Sequence, residues 1–217
     1  MTRGRLDSVV ATTRGDDGTT GLLYGGRVRK DGEHPAAYGT VDEVQSVLGV
    51  ARALSPAGGE LAELVIVLER DLWVLMSELA TLPQNRSKLT PGTTLVTAEM
   101  VERLEHTIDE LDTRFAPPTE FVIPGETVIA AWLDLARAVT RRAERLALPV
   151  APPPSLAVVY LNRLSDLLWT MARWQEGQSR TTRSVADPDQ EHATDPHQER
   201  VADRAEESVA ESDKEHP

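Results

Sequence analysis

Apolar side chains recur at helical spacing in five stretches of the chain, and no stretch of any length alternates as a strand would. The five predicted helices cover about 41–54, 59–82, 97–114, 126–148 and 155–174. Short or proline-rich connections separate them, which favours neighbouring helices packed side by side. The pattern therefore predicts an all-α fold, a five-helix bundle with helices crossing at about +20°.

The residue types at the predicted ends support this division. Thr97 and Ser155 suit helix N-caps, and Pro83 is expected to end the second helix. The first forty residues are rich in glycine, threonine and charge, and they are predicted to be loop. Three regions are expected, namely an N-terminal loop region over 1–36, the bundle over 37–178, and a tail over 179–217.

The charge is concentrated in that tail. Residues 184–217 carry eleven Asp and Glu against three Lys and Arg, within a chain whose net charge is −12. The same stretch has no leucine, isoleucine or aromatic residue, so it cannot bury enough apolar surface to offset the entropy of ordering. We expect a disordered acidic tail, either solubilising or used for interaction.

Composition excludes several classes of protein. There is no cysteine, which removes disulfides, thiolate metal sites and thiol nucleophiles. The acidic balance argues against non-specific nucleic-acid binding. No apolar run has the roughly 18 residues that a membrane span needs, and the polar start is unlike a signal peptide. We expect a cytoplasmic protein.

Four arginines lie within nine residues of the predicted fourth helix: Arg137, Arg141, Arg142 and Arg145. Arg137, Arg141 and Glu144 are spaced i, i+4 and i+7, so they share one face. In an acidic chain such a cluster indicates an anion site. A solvated helix with surface salt bridges is the alternative from the residues alone.

A second candidate is the stretch from Thr12 to Gly21, with three glycines and four threonines in ten residues. Its backbone can turn tightly and offer N–H and hydroxyl donors to phosphate oxygens. It is not a Walker A loop, because no G-K-[ST] follows. Lys30 could add a phosphate contact. A disordered N-terminal arm fits this segment equally well.

Two further positions have open interpretations. Phe121 precedes a Pro-Gly helix entry, where a phenylalanine usually fills a gap in the core. Asn162, Ser165 and Asp166 cluster on one side of the fifth helix at i+3 and i+4. Such a cluster either joins helices or binds a ribose, a base or a partner arginine.

Taken together, five segments resemble one family. RGDDGTTGLL, VRKDGEHPAAYGTVDE, FVIPG, LARAVTRRAER and YLNRLSDLLW follow in the order of the PduO-type ATP:cob(I)alamin adenosyltransferases, over about residues 10–175. The resemblance implies a five-helix bundle assembled as a homotrimer, with active sites between subunits. It implies attack by the Co(I) of reduced cobalamin on the ribose C5′ of ATP, with Mg²⁺ accompanying the nucleotide and triphosphate leaving.

The resemblance also implies roles for particular residues. Arg137 would pair with Asp42 and brace the site, while Phe121 would press on the lower corrin face. The remaining positions would bind ATP: Thr12, Thr13, Arg14, Gly15, Thr20, Gly21, Lys30, Arg141, Arg142, Ala143, Glu144, Arg145 and Asn162. An adenosylcobalamin-dependent mutase and a flavin reductase are implied as partners.

The chain departs from the family's pattern at several points. Threonine and arginine exchange order at Thr13-Arg14, and Glu126 follows the Pro-Gly pair at the expected start of the fourth helix. Trp132 and Asp134 stand where smaller or neutral residues are common, and Trp169 replaces a phenylalanine. The Thr13-Arg14 pair and Glu126 favour one alternative, a non-catalytic carrier or sensor for cobalamin or ATP. A second alternative is a plain helical scaffold whose arginines form salt bridges between subunits.

Overall fold

A computed structural model describes residues 13–182 of the chain. It contains a short hairpin, five α-helices and one 3₁₀ helix over Pro83–Lys88. The elements are β1 (Thr19–Gly21), β2 (Arg27–Arg29), α1 (Glu33–Leu54), α2 (Glu60–Leu79), α3 (Ala98–Asp112), α4 (Val128–Ala147) and α5 (Ala157–Glu176). The all-α prediction is confirmed. Thr12 and the acidic stretch 183–217 lie outside the described residues.

The first helix begins eight residues earlier than its apolar pattern indicated, at Glu33 rather than Val41. Proline and glycine near its start made this stretch look like loop. Pro35 lies in the first turn, where its missing N–H has no intrahelical partner to lose. The boundary predicted at residue 36 therefore falls inside α1.

The N-terminal region also contains strands that were not predicted. β1 and β2 pair antiparallel, with Thr20 opposite Val28, and each has only three residues, too few to produce a visible alternation. The turn between them uses positive φ at Tyr24, Gly25 and Gly26. The hairpin is anchored to the end of α2, because Leu23 N–H donates to the Ala80 carbonyl at 2.9 Å.

The core is made of leucine, valine and alanine from all five helices. α4 packs against both α1 and α5, α3 packs against α5, and α1 against α2. The buried face of α4 is rich in small side chains, which allows its neighbours to approach closely. Its fully buried alanines are Ala130, Ala136, Ala143 and Ala147. Within residues 13–182, no helix is long and apolar enough to cross a membrane.

Buried carboxylates on α2 join it to the other elements. Asp71 accepts two hydrogen bonds from Arg103 of α3 and one from the Tyr160 hydroxyl of α5. Burial, with the nearby Asp71 carboxylate, raises the pKa of Tyr160 well above its usual value. Two turns further on, Glu78 accepts from Arg86 at 2.6 Å and from Val96 N–H at 2.9 Å.

The starts of the other four helices were predicted to within two residues. Thr97 holds the N-cap position of α3, although its hydroxyl makes no cap bond. α4 begins at Val128 rather than Glu126, and the Thr127 hydroxyl caps it by accepting from Ala130 N–H at 3.1 Å. Ser155 lies one residue before the N-cap of α5. Its hydroxyl accepts from Ala157 N–H and donates to the Glu78 carboxylate.

The end of the bundle also differs from its prediction. Residues 179–181 were assigned to the disordered tail. Ile123 N–H instead donates to the Arg180 carbonyl at 2.8 Å, and Val122 forms an antiparallel bridge with Thr181. The chain just after α5 thus holds the segment that leads into α4.

Candidate functional site

The four arginines of α4 differ in their partners. Arg137 Nε donates to Asp134 Oδ1 at 3.0 Å, and Arg142 donates to Glu43 of α1. Among the described residues, Arg145 bonds only to a backbone carbonyl, that of Arg141, at 2.8 Å. The exposed Arg141 guanidinium has no hydrogen bond or ion pair within residues 13–182. The cluster therefore retains positive charge at Arg141 and Arg145 that no carboxylate of the described chain neutralises.

Beside these arginines, Glu144 and Asn162 join α4 to α5. Asn162 Nδ2 donates to Glu144 Oε1 at 3.2 Å. The half-buried amide is thereby fixed with its Oδ1 free to accept a hydrogen bond. Ala143, between Arg142 and Glu144, is fully buried, so its side chain belongs to the core and only its backbone could contact a ligand.

The polar cluster predicted on α5 separates into different roles. The buried Ser165 hydroxyl donates to the Asn162 carbonyl of its own helix at 2.8 Å. Asp166 accepts from Arg163, which also binds Glu105 of α3. Of this group, only Asn162 bonds to the arginine helix. Ser165 bonds within α5, and Asp166 holds Arg163, which joins α5 to α3.

The N-terminal loop is an ordered turn. Gly15 accepts from Gly18 N–H at 3.2 Å through its carbonyl. A Cβ at Gly15 would lie 2.9 Å from Lys30 Nζ and 3.2 Å from the Thr19 carbonyl. Because glycine leaves this space open, the Lys30 ammonium lies directly over the loop. The two elements of the predicted phosphate site are thus adjacent.

Asp17 stabilises this loop from within. Its Oδ1 accepts from the Thr19 hydroxyl at 2.7 Å and from Thr19 N–H at 2.9 Å, and these bonds lower the pKa of Asp17. Arg27 donates to the same threonine hydroxyl and to the Arg14 carbonyl. The carboxylate is therefore used by the turn, and the exposed Arg14 side chain extends from a backbone held in place.

Within the part of the chain that the structure describes, the loop from residue 14 onward and the arginine helix are not bonded to each other. No hydrogen bond or ion pair of the described residues links 14–30 with α4. The hairpin is instead bonded to the end of α2, while α4 is bonded to α1 through Glu43. The structure thus places two groups of predicted ATP-binding residues on separate elements.

Phe121 is 86% exposed, which contradicts the alternative that it fills the core. The residues that follow it are held by the chain after α5, and Arg180 Nε also donates to Glu126 Oε1 at 2.9 Å. Gly125 adopts φ 121°, a conformation that favours glycine. A segment bonded to the chain after α5 thus presents a phenylalanine ring to solvent.

The pairing predicted between Arg137 and Asp42 is absent within one chain. The structure pairs Arg137 with Asp134 instead, and the exposed Asp42 side chain has no ion-pair partner within residues 13–182. Asp134 also binds Arg173 of α5, whose side chain is 2% exposed. Sequence reasoning missed Asp134 and Arg173 as site neighbours. The only local signal was the i, i+3 spacing of Asp134 and Arg137.

Comparison with known proteins gives one consistent match. A family model described as cobalamin adenosyltransferase matches residues 10–175. A corrinoid adenosyltransferase of Citrobacter freundii is 40% identical over 170 residues, which are 77% of this chain and 94% of that protein. A corrinoid adenosyltransferase of Mycobacterium tuberculosis is 33% identical over 186 residues, which are 79% and 95% of the two chains.

Solved structures agree with these relatives. A phenylalanine-to-histidine variant of a PduO-type ATP:corrinoid adenosyltransferase from Lactobacillus reuteri, complexed with cobalamin and ATP, superposes with a TM-score of 0.72. It is 25% identical and covers 82% of this chain and 98% of its own. An arginine-to-lysine variant from the same organism, complexed with ATP, gives a TM-score of 0.71 at 25% identity, covering 80% and 100% of the two chains.

Proposed function

The chain belongs to the cobalamin adenosyltransferase family, and from this premise we propose how its residues transfer the 5′-deoxyadenosyl group of ATP to cob(I)alamin. In this reaction Co(I) attacks the ribose C5′, the C5′–O bond breaks, a Co–C bond forms, and triphosphate leaves with the electron pair of the broken bond. The nucleophile belongs to the substrate, so no side chain has to act as a general base. The protein must bind, orient and stabilise a leaving group.

The observation that carries the proposal is Arg141, which has no hydrogen-bond or ion-pair partner for its side chain within residues 13–182, while the other arginines of α4 all donate to a described residue. A guanidinium fork suits phosphate oxygens, and its charge stabilises negative charge that accumulates on the leaving triphosphate. Arg145 lies one turn further and adds positive charge. Arg142, bound to Glu43, contributes to the field and joins α4 to α1.

The N-terminal loop completes the phosphate site. Lys30 over Gly15 supplies an ammonium beside a turn of backbone N–H groups. The flanking residues Thr12, Thr13, Arg14, Thr20 and Gly21 would line the phosphates. Thr12 is assigned from the family resemblance alone. Glu144 holds Asn162, whose amide oxygen would accept from the adenosine.

Because no bond within residues 14–180 joins the loop to α4, we propose that the two meet between subunits of a homotrimer. The loop of one subunit would face the arginine helix of its neighbour. Arg137 uses only Nε within the described chain, so both Nη groups could bind Asp42 of a neighbouring subunit. Exposed apolar side chains of α4, Val128 at 64% and Leu135 at 46%, are compatible with a covered interface.

Phe121 is proposed to contact the corrin. An exposed ring on a supported segment can lie against the lower face of cobalamin and exclude the lower axial ligand. That makes the cobalt easier to reduce to the attacking Co(I) state. The ring thus acts on the cobalt step and not on ATP binding.

Mg²⁺ is proposed to arrive with the nucleotide. Magnesium commonly uses substrate phosphates, waters and only one or two carboxylates. Within residues 13–182 there is no group of three or more acidic or histidine side chains suited to a metal ion. The triphosphate oxygens would therefore supply most of the magnesium ligands that do not come from the protein.

We propose that a flavin reductase supplies Co(I) and that an adenosylcobalamin-dependent mutase uses the product. The proposed location is the cytoplasm.

The test is direct. Purified protein is mixed with ATP, Mg²⁺ and chemically reduced cobalamin, and adenosylcobalamin formation is followed spectroscopically together with triphosphate release. Both products are expected in equal amounts. Folded, trimeric protein that binds both substrates but forms neither product would contradict the proposal and favour the carrier or sensor.

A further inference from the structure

A group of charged side chains, all buried except the 30% exposed Arg137, connects α4 with the end of α5. Arg173 Nη2 donates to Asp134 Oδ2 at 2.5 Å and to Glu176 Oε1 at 2.9 Å. Asp134 uses its other oxygen to bind Arg137. Arg137, Asp134, Arg173 and Glu176, here called the relay, contain two guanidinium groups and two carboxylates. The relay is therefore electrically neutral, as a buried charged group must nearly be.

The relay is held tightly at its centre. The Arg173 and Glu176 side chains are 2% and 0% exposed, and Arg173 Nε lies 2.9 Å from Glu176 Oε2 without the alignment of a hydrogen bond. The guanidinium also lies 5.7 Å from the centre of the Trp169 ring. These contacts leave Arg173 little rotational freedom.

The far end of the relay reaches the segment that carries Phe121. Glu176 Oε2 accepts from the Ser179 hydroxyl at 2.8 Å. The next residue, Arg180, holds Ile123 through its carbonyl and Glu126 through its guanidinium. A continuous chain of contacts thus runs from Arg137 on α4 to the residues directly after Phe121.

We propose that Asp134, Arg173 and Glu176 are positioning residues for the transfer reaction. Asp134 fixes Arg137 by Nε, which leaves both Nη groups available to the site. Glu176 and Ser179 order the chain at 180–181, which in turn supports Phe121. The relay therefore sets the bracing arginine and the corrin-facing ring relative to each other. This inference rests on the function proposed above.

Stability alone is a weak reason for such a relay. Buried ion pairs contribute little net stability compared with apolar residues of similar volume, because desolvation offsets their attraction. What the relay does supply is geometry, since each carboxylate accepts from two groups at once. A defect in it should therefore alter the cobalt step more than it alters ATP binding.

The test compares Asp134→Asn and Glu176→Gln with Asp71→Asn. Asp71 is a matched control, since it is a buried carboxylate bound to an arginine and a hydroxyl, outside the relay. Both relay variants are expected to lower kcat/KM for cob(I)alamin at least about tenfold while the Kd for ATP changes by less than about twofold. Asp71→Asn should lower the melting temperature and leave both constants within about twofold.

A second readout does not depend on catalysis. Hydrogen exchange at Ile123 N–H reports its bond to the Arg180 carbonyl. In the substrate-free protein, Asp134→Asn and Glu176→Gln are expected to speed this exchange at least about tenfold, and Asp71→Asn is not. The double variant Asp134→Asn/Arg137→Ala should lower kcat/KM by less than the product of the two single reductions. Both substitutions break the same contact, the one between Arg137 and Asp134.

Unchanged kcat/KM and unchanged Ile123 exchange in both folded relay variants would overturn the inference. So would equal kinetic losses in Asp71→Asn, because the effect would then follow from stability alone. If the wild-type protein forms no adenosylcobalamin, the proposed function fails instead. The exchange at Ile123 then still decides whether the relay supports this segment.

Discussion

Replacing Arg141 by alanine tests the proposed triphosphate site most directly. Arg141 is exposed, and its side chain has no hydrogen bond or ion pair within residues 13–182, so its removal breaks no polar interaction of the described chain. We expect the free energy of unfolding without ATP to stay within about 0.5 kcal/mol of the wild-type value. Whatever the variant loses should appear in ATP binding.

The size of the loss follows from the bond type. Hydrogen bonds to charged groups contribute about 1.5–3 kcal/mol each. Losing one such interaction should raise the Kd for ATP about 10- to 150-fold. With ATP at 100 times the wild-type Kd, ligand binding stabilises the wild type by about 2.7 kcal/mol, but a variant weakened a hundredfold by only about 0.4 kcal/mol.

Isothermal titration gives the Kd, and the melting temperature with and without ATP gives an independent measure. Arg163→Ala is the matched control, because it removes the same charge from the α3–α5 contact with Glu105 and Asp166. The control should keep its ATP affinity within about twofold. An Arg141→Ala protein whose Kd lies within that same range would refute the assignment of Arg141 to the triphosphate.

The remaining predictions concern the corrin contact and the buried polar groups. Phe121→Ala should leave the Kd for ATP unchanged and slow adenosylcobalamin formation, measured as kcat at saturating ATP; equal losses in both would contradict its role. Glu78→Ala leaves the Arg86 guanidinium unpaired and should cost about 3–5 kcal/mol of unfolding free energy in urea. A loss below about 1 kcal/mol would mean that the network is not buried as described. Because the pKa of Tyr160 is raised in the folded state, its hydroxyl contributes stability that is complete below the unfolded pKa near 10 and is lost as pH rises above it. The unfolding free energy should therefore fall above about pH 10 in the wild type and fall less in Tyr160→Phe.

The helices were predictable because each one buries a continuous apolar face. The apolar pattern did not predict the start of α1 or the β1–β2 hairpin, which depend on proline and on turn conformation. α1 can start at Glu33 because Pro35 lies in its first turn, where proline is tolerated. In the interior of a helix a proline would predict a break. The β1–β2 hairpin could not be predicted, since three-residue strands carry no period and their turn depends on positive φ at Tyr24.

The sequence could indicate which residues form the candidate site, but not how their side chains contact one another. Spacing placed Arg137 and Arg141 on one face of α4, and the structure agrees that both lie outside the core. Spacing alone could not show that Asp134 holds Arg137 while the Arg141 side chain has no partner within residues 13–182. That difference depends on α5, which supplies Arg173 from 39 residues further along the chain. The spacing of residues within one helix does not predict which residue of another helix they contact.

Three of the departures from the family's pattern fall on one connected structure. Asp134 binds Arg173, Trp169 lies beside the same guanidinium, and Glu126 binds Arg180 at the far end of the relay. None of them adds an uncompensated charge to the proposed ATP site, since each carboxylate is neutralised by an arginine of α5 or of the chain after it. They are therefore better explained as a different way of supporting Arg137 and Phe121 than as loss of the reaction. If that is correct, reverting one of them alone should disturb the cobalt step, because its partner would lose a neutralising or stacking contact.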